Sequence, residues 1–203
     1  MLFNLAVNST YSIQFKKGQF KLGGSYYFNG YRSGDHCFFI SAKKQIKEFE
    51  MNLNAKYENI TPAFELLRYH GNHSFWINTF SDQKILSFTG NMLFNNFIFG
   101  TNYTDVFNPI FLNYLGTPEQ YSGVSQVIQS NLSRSFKLNK WNVHPSIFYQ
   151  YQGGVNIYRL PEWVGILDIS YNIDAFKSAL KLNIGMQSKL FSAFYLMNYT
   201  PDI

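Results

Sequence analysis

The sequence predicts an all-β protein, an antiparallel transmembrane β-barrel showing roughly twelve strands, with short turns on one side and longer loops on the other. Three observations carry that expectation. The first is a period of two. From Phe3 to Phe15 the odd positions read Phe3, Leu5, Val7, Ser9, Tyr11, Ile13 and Phe15, and the even ones Asn4, Ala6, Asn8, Thr10, Ser12 and Gln14. Successive strand residues point to opposite sides, so one face is apolar and the other wet. The second is length, since a tilted strand needs about 9 to 11 residues to cross a bilayer, whereas strands of soluble domains run about 5 to 6. The third is composition. Charged residues make up 14% of the chain and aromatic ones 19%, against roughly 25% charged in ordinary soluble domains.

The remaining elements follow in order. Lys16-Lys17-Gly18 turns the chain, and the return strand sets Phe20, Leu22, Gly24, Tyr26 and Phe28 against Gln19, Lys21, Gly23, Ser25 and Asn29. After a loop from Arg32 to Asp35, a third strand is expected from His36 to Ala42, with Lys43 to Lys47 as the next turn. The fourth strand alternates cleanly: Phe49, Met51, Leu53, Ala55 and Tyr57 oppose Glu50, Asn52, Asn54, Lys56 and Glu58. A lysine facing lipid near the midplane costs about 2 to 4 kcal/mol, which fixes this strand's orientation. Thr61 to Asn72 reads as a longer loop, and Phe75 to Phe80 as a short strand whose alternation blurs. Ser81 to Lys84 is a turn, followed by a strand with Leu86, Phe88, Gly90, Met92 and Phe94 on its apolar side.

Asn95-Asn96 is a tight connection, after which Phe97, Phe99, Thr101 and Tyr103 face away from Ile98, Gly100, Asn102 and Thr104. Pro109 interrupts the run, Ile110 to Leu115 forms a short strand, and Gly116 to Gly123 is a loop. In Val124 to Phe136 the apolar residues Val124, Ile128, Leu132 and Phe136 recur at a spacing that also fits a helix; its neighbours favour a strand. Arg134 on the apolar side of that strand fits only near an interface. Lys137 to Lys140 turns into a strand carrying Trp141, Val143, Pro145, Ile147, Tyr149 and Tyr151 on one face. Gly153 to Pro161 is a loop. Trp163, Gly165, Leu167, Ile169, Tyr171 and Ile173 then oppose Asp168 and Asn172. After the turn Asp174 to Lys177, Leu180, Leu182, Ile184 and Met186 face away from Lys181, Asn183 and Gln187. Tyr31, Tyr57, Trp76, Tyr103, Trp141, Tyr151 and Trp163 lie near strand ends, where an interfacial girdle or plain core packing would use them.

Several classes are disfavoured. Apolar runs such as Cys37 to Ile40 and Phe97 to Phe99 fall far short of the roughly 18 residues of a spanning helix. Met1-Leu2 leads directly into a strand without the basic region, apolar core or cleavage site of a signal peptide. Export would require one, so an N-terminal part is expected to be missing. The single cysteine, Cys37, allows no internal disulfide and reads as a small strand residue. The net charge of +5 raises nucleic acid as a partner, but the lysines cluster in turns and form no continuous phosphate-tracking stripe.

The string Arg68-Tyr69-His70-Gly71-Asn72-His73-Ser74-Phe75-Trp76-Ile77-Asn78 resembles a segment of the putative porin family of Bacteroidota outer membranes. So do, in order, Asn108-Pro109-Ile110-Phe111 with Pro118-Glu119-Gln120, Tyr149-Gln150-Tyr151-Gln152, Leu160-Pro161-Glu162-Trp163 and Asn198-Tyr199-Thr200-Pro201. The resemblance covers most of the chain from about Tyr57 onward. It implies a porin-like barrel in the bacterial outer membrane and no particular solute. It also implies further strands beyond the Tyr-Thr-Pro segment. Residues 1–203 are accordingly expected to be a single barrel region, the C-terminal part of a larger barrel and incomplete at both ends.

Candidate chemistry is sparse. His70 or His73 could serve as base to Ser74, but no third group orients such a base, and the adjacent His73 and Ser74 would point to opposite strand faces. A lone histidine pair, with Asp35 and His36 elsewhere, is weak as a metal site. No catalytic, metal or cofactor residues are assigned, and the chain is not expected to be an enzyme. What remains is a polar wall: Asn4, Asn8 and Lys21 from the first hairpin, Glu50, Asn52, Asn54, Lys56 and Glu58 from the fourth strand, and Asp168, Lys181, Asn183 and Gln187 near the end. If the apolar faces meet lipid, these residues line the lumen. The first reading is passive diffusion of small hydrophilic solutes. One rival is a non-conducting barrel serving as a structural or docking subunit of a larger cell-envelope complex. Another is a soluble all-β binding module with its apolar faces packed between two sheets. The partners expected are outer-membrane lipid and small hydrophilic solutes, with envelope proteins or further copies of the chain as candidates and no nucleic acid.

Overall fold

A computed structural model describes residues 3–194 apart from His73, Asn156, Lys177 and Ser178. Its elements are β1 (Asn4–Phe15), β2 (Gly18–Gly30), β3 (His36–Ile46), β4 (Phe49–Ile60), α1 (Phe64–Leu67), β5 (Arg68–His70) and β6 (Phe75–Ile77). These are followed by β7 (Gln83–Phe94), β8 (Phe97–Phe107), β9 (Ile110–Leu112), β10 (Pro118–Gln120), β11 (Val124–Arg134) and β12 (Phe136–Leu138). The last are β13 (Trp141–Gly154), β14 (Trp163–Ala175) and β15 (Leu180–Phe191). An eleven-stranded sheet runs β1-β2-β3-β4-β7-β8-β11-β13-β14-β15, with β12 beside β13. Every pairing is antiparallel between neighbours in the meander. Among the described residues β1 and β15 are the two edges and do not pair with each other.

The long strands have 11 to 14 residues, enough to meet or exceed the about 9 to 11 that a tilted spanning strand requires. Turns and loops segregate by side. Lys16-Lys17, Lys47-Glu48, Asn95-Asn96 and Asn139-Lys140 close short connections on one side, while 31–35, 61–82, 108–123 and 155–162 make longer ones on the other. Sequence explains the tight connections. Asn95 and Asn96 both have positive φ, at 45° and 65°, as the two central residues of a type I′ hairpin require, and asparagine tolerates that region.

Two of the expected strands lie outside the main sheet. Within Phe75 to Phe80 only Phe75–Ile77 is extended, paired with β5; within Ile110 to Leu115 only Ile110–Leu112 is, paired with β10. Both are small hairpins in the longer loops. Conversely β3 continues through Lys43 and Lys44, expected in a turn: Lys43 pairs with Gln19 and Asn52, and Lys44 with Gly18 and Met51. A register shift between Leu5 and Ala6 leaves Phe28 without a partner and sets Asn29 opposite Leu5 rather than a polar residue. The ambiguous segment from Val124 is strand, β11 followed by β12. The break between them has a local cause: Ser133 pairs with Ser146 and Phe136 with Val143, so the register is kept. Pro145 lies in the interval and has no N–H to give the ladder.

The sheet is a single layer. Among the described residues only Val106, Val127 and Ile157 are buried hydrophobics, while Leu53 and Phe88 are each 47% exposed and Met186 68%. A soluble sandwich would cover such a face, at about 1.5–3 kcal/mol for each large apolar side chain removed from water.

On the loop side Asp35 is the main tie. It is 1% exposed and accepts from Arg32 Nε at 2.6 Å, Thr61 N at 2.7 Å and Thr61 Oγ1 at 2.7 Å. Nearby, the Tyr31 hydroxyl donates to the Pro62 carbonyl at 2.6 Å. Burial raises that phenol above its usual value, with Glu65 and Asp35 adding to the effect, so the hydroxyl keeps the proton it donates.

Candidate functional site: a polar wall

Register decides which side chains share a face, since residues directly opposite across a ladder point the same way. On β3 and β4 the polar set is Ser41 with Asn54, Lys43 with Asn52, Gln45 with Glu50, Phe39 with Lys56 and Cys37 with Glu58. The expected residues Glu50, Asn52, Asn54, Lys56 and Glu58 therefore stand on one side. Lys43 Nζ meets Glu50 Oε1 at 2.8 Å and Lys56 Nζ meets Glu58 Oε1 at 2.8 Å, while Asn52 Nδ2 donates to Glu50 at 3.0 Å. Lys21 joins this face opposite Ser12 and Ser41, and Asn8 opposite Ser25.

At the far edge Asp168 pairs with Gln187, Asn172 with Asn183 and Asp174 with Lys181. Gln187 Nε2 donates to Asp168 at 2.6 Å and Asn183 Nδ2 to Asn172 at 2.7 Å. Asn4 behaves differently. Its Oδ1 accepts from the Arg32 backbone N–H at 3.0 Å, so it anchors the first longer loop.

Between these charged ends lies a neutral stretch that the sequence reading did not single out. Ladder pairs place Asn52 with Asn91, Thr89 with Asn102, Asn102 with Gln129, Gly100 with Asn131 and Gln129 with Gln150 on the same face. Thr89 Oγ1 donates to Asn102 at 3.0 Å and Gln129 Nε2 to Gln150 at 2.8 Å. A concavity of about 460 Å³ opens here over Asn91, Asn102, Gln129, Asn131 and Gln150, with Phe148 in its floor. Individual amides were legible by alternation, as at Asn102, but only register gathers them. Lys43 was missed because a lysine-rich run reads as a turn. Phe39 was missed because it breaks the polar pattern; its ring lies over Gly23, where an added Cβ would come within 2.6 Å of it.

This arrangement of long strands, wet face and greasy face agrees with the outcome of comparison with known families. The matching family model is described as Putative porin and spans residues 2–203. The chain belongs to that porin family. No curated protein matches it.

On the apolar face of this porin-family chain, charged side chains fall near strand ends. Lys44 and Arg134 lie toward the short turns, and Lys84 and Asp105 toward the longer loops. Aromatic residues gather there too. Tyr149 and Trp163 rings lie 4.6 Å apart and Trp141 and Tyr171 rings 4.8 Å apart, and His36 sits among Tyr26, Phe38 and Tyr57. Trp76 is instead a loop residue whose Nε1 donates to the Glu65 carbonyl at 2.8 Å. His70 contacts Phe75 edge-on at 5.7 Å; His73 lies outside the described residues. Among the described residues no cluster of metal-ligating side chains forms.

Proposed function

We propose that this chain forms the wall of a β-barrel in the bacterial outer membrane and lets small hydrophilic solutes diffuse passively through its lumen, without catalysis. The observation that supports this best is the division of side chains by face. Lys56, Glu58, Asp168, Lys181 and the amides around Gln129 share one side across the whole sheet, while the other carries Leu53, Phe88, Ile169 and Met186. Turned toward lipid, the apolar face is in its favoured solvent, and among the described residues every long strand except the edge strands β1 and β15 has a hydrogen-bonded neighbour on both sides. The polar face then lines an aqueous path. Aromatic side chains at the strand ends serve as interfacial girdles, and the short turns face the periplasm as in other outer-membrane barrels.

Opposite charges at 2.8 Å on Lys56–Glu58 and Lys43–Glu50 and the neutral amides between the charged ends give a path of weak charge preference. Ion selectivity tests this reading. Lys56→Glu puts a carboxylate beside Glu58 where an ammonium had been, so the full-length protein in a planar bilayer should shift its reversal potential toward cations. A unit charge within about 4 Å of a passing ion in water is worth about 1 kcal/mol, enough for a several-fold change in permeability ratio. Unchanged selectivity in a conducting variant would remove Lys56 from the lumen.

A further inference from the structure

We propose that the apolar face carries a binding site for a phospholipid with an anionic phosphate headgroup, built on Arg134 at the short-turn side. The proposal rests on the membrane reading above. Arg134 is the last residue of β11 and pairs with Phe97 beside the Asn95-Asn96 turn. Its guanidinium is held between two rings, 4.1 Å from the centroid of Phe97 and 4.7 Å from that of Phe136. Stacking of this kind fixes a cation in place without neutralising it. Its Nε is buried with no hydrogen-bond partner, and among the described residues no carboxylate pairs with it. The terminal amino groups of a guanidinium are the donors left for an anion, and their planar fork matches phosphate oxygens.

The second half of the site is a groove of about 540 Å³ that Arg134 itself borders, walled by Leu132, Pro145, Ile147, Gly165, Leu167 and Leu190. Gly165 opens it, because the nearest atom to a Cβ built there is the Leu190 carbonyl oxygen at 4.0 Å. A fixed, unneutralised cation beside an apolar trough matches a molecule with a phosphate at one end and an acyl chain at the other. The surrounding charge favours an anionic headgroup, since Lys16, Lys17, Lys44, Lys47 and Lys140 lie on the same side as Arg134 and basic residues near a membrane surface draw anionic lipid.

The test is native mass spectrometry of the full-length protein released from detergent containing equal phosphatidylglycerol and phosphatidylethanolamine. Wild-type protein should retain phosphatidylglycerol preferentially, and Arg134→Gln should cut that retention about fivefold. Lys84→Gln, which removes a cation of the same face at the opposite, longer-loop end of the strands, should leave it unchanged. Gly165→Leu, which fills the groove and keeps Arg134, should lower retention on its own and guards against a fold defect in the arginine variant. Equal retention by wild type, Arg134→Gln and Gly165→Leu overturns the site. So does complete displacement of the lipid by millimolar inorganic phosphate, which would make it a simple anion site. The same samples run on SDS gels with and without boiling distinguish a failure to insert in the membrane from a failure to bind lipid. Protein that shows no mobility shift fails the membrane reading and the lipid site with it, whereas shifted protein with no lipid preference fails the lipid site alone.

Discussion

Leu53→Arg should abolish the folded, heat-modifiable form of the protein in lipid, whereas Asn54→Arg, one residue on, should leave it intact. The two positions are adjacent in β4 and opposite in face. Leu53 pairs with Ala42 and Gly90, and Asn54 with Ser41 and Thr89. Both lie near the middle of a strand running from Phe49 to Ile60, close to the midplane of a spanning strand. An arginine on the lipid side there costs about 2–4 kcal/mol, while one in water costs little. The contrast depends only on the face assignment, because sequence neighbourhood and strand propensity are shared. It is read as the fraction of protein with shifted gel mobility after refolding into vesicles. Equal fractions for the two variants would mean that both faces meet the same solvent.

Asp35→Ala should loosen the loop side without dissolving the wall. The carboxylate is buried and ties the first longer loop to the start of the second through Arg32 and Thr61. Arg32 is 38% exposed and regains water when its partner is lost, so its share of the loss is small. The Thr61 amide and hydroxyl both donate to one oxygen of a group only 1% exposed. Together the lost bonds amount to about 2–3 kcal/mol. The expected result is faster proteolysis within 61–82 and a lower temperature of the gel shift. Asp35→Asn, which keeps an acceptor for Thr61, should recover part of both. Unaltered proteolysis in Asp35→Ala would show that the loops are held by other contacts.

What the sequence disclosed depended on whether a property belonged to one strand or to several. Alternation within a strand is local, so the facing of Leu53 against Asn54, or Ile184 against Asn183, could be read directly. The Asn95-Asn96 turn was legible for the same reason. Strand ends were not. Lys43 and Lys44 look like a turn, yet Lys43 extends β3 on the polar face, where its ammonium reaches Glu50. Lys44 extends it on the apolar face within two residues of the strand's end, where a long side chain can carry its charge to water. Short apolar runs were ambiguous too, because Phe75–Ile77 and Ile110–Leu112 have strand composition but pair only with their own loop partners. The amide patch around Gln129 and the stacking of Arg134 on Phe97 are properties of register across strands distant in sequence. Pattern within one segment cannot reveal them.

Whether the lumen conducts is decided by single-channel recording of the full-length protein in a planar bilayer, using material whose gel mobility shifts on boiling. A mixed-charge, amide-rich wall around an open lumen should give discrete open-channel steps with weak ion selectivity. Shifted, membrane-inserted protein that never opens would contradict it and indicate a plugged barrel that docks other envelope components.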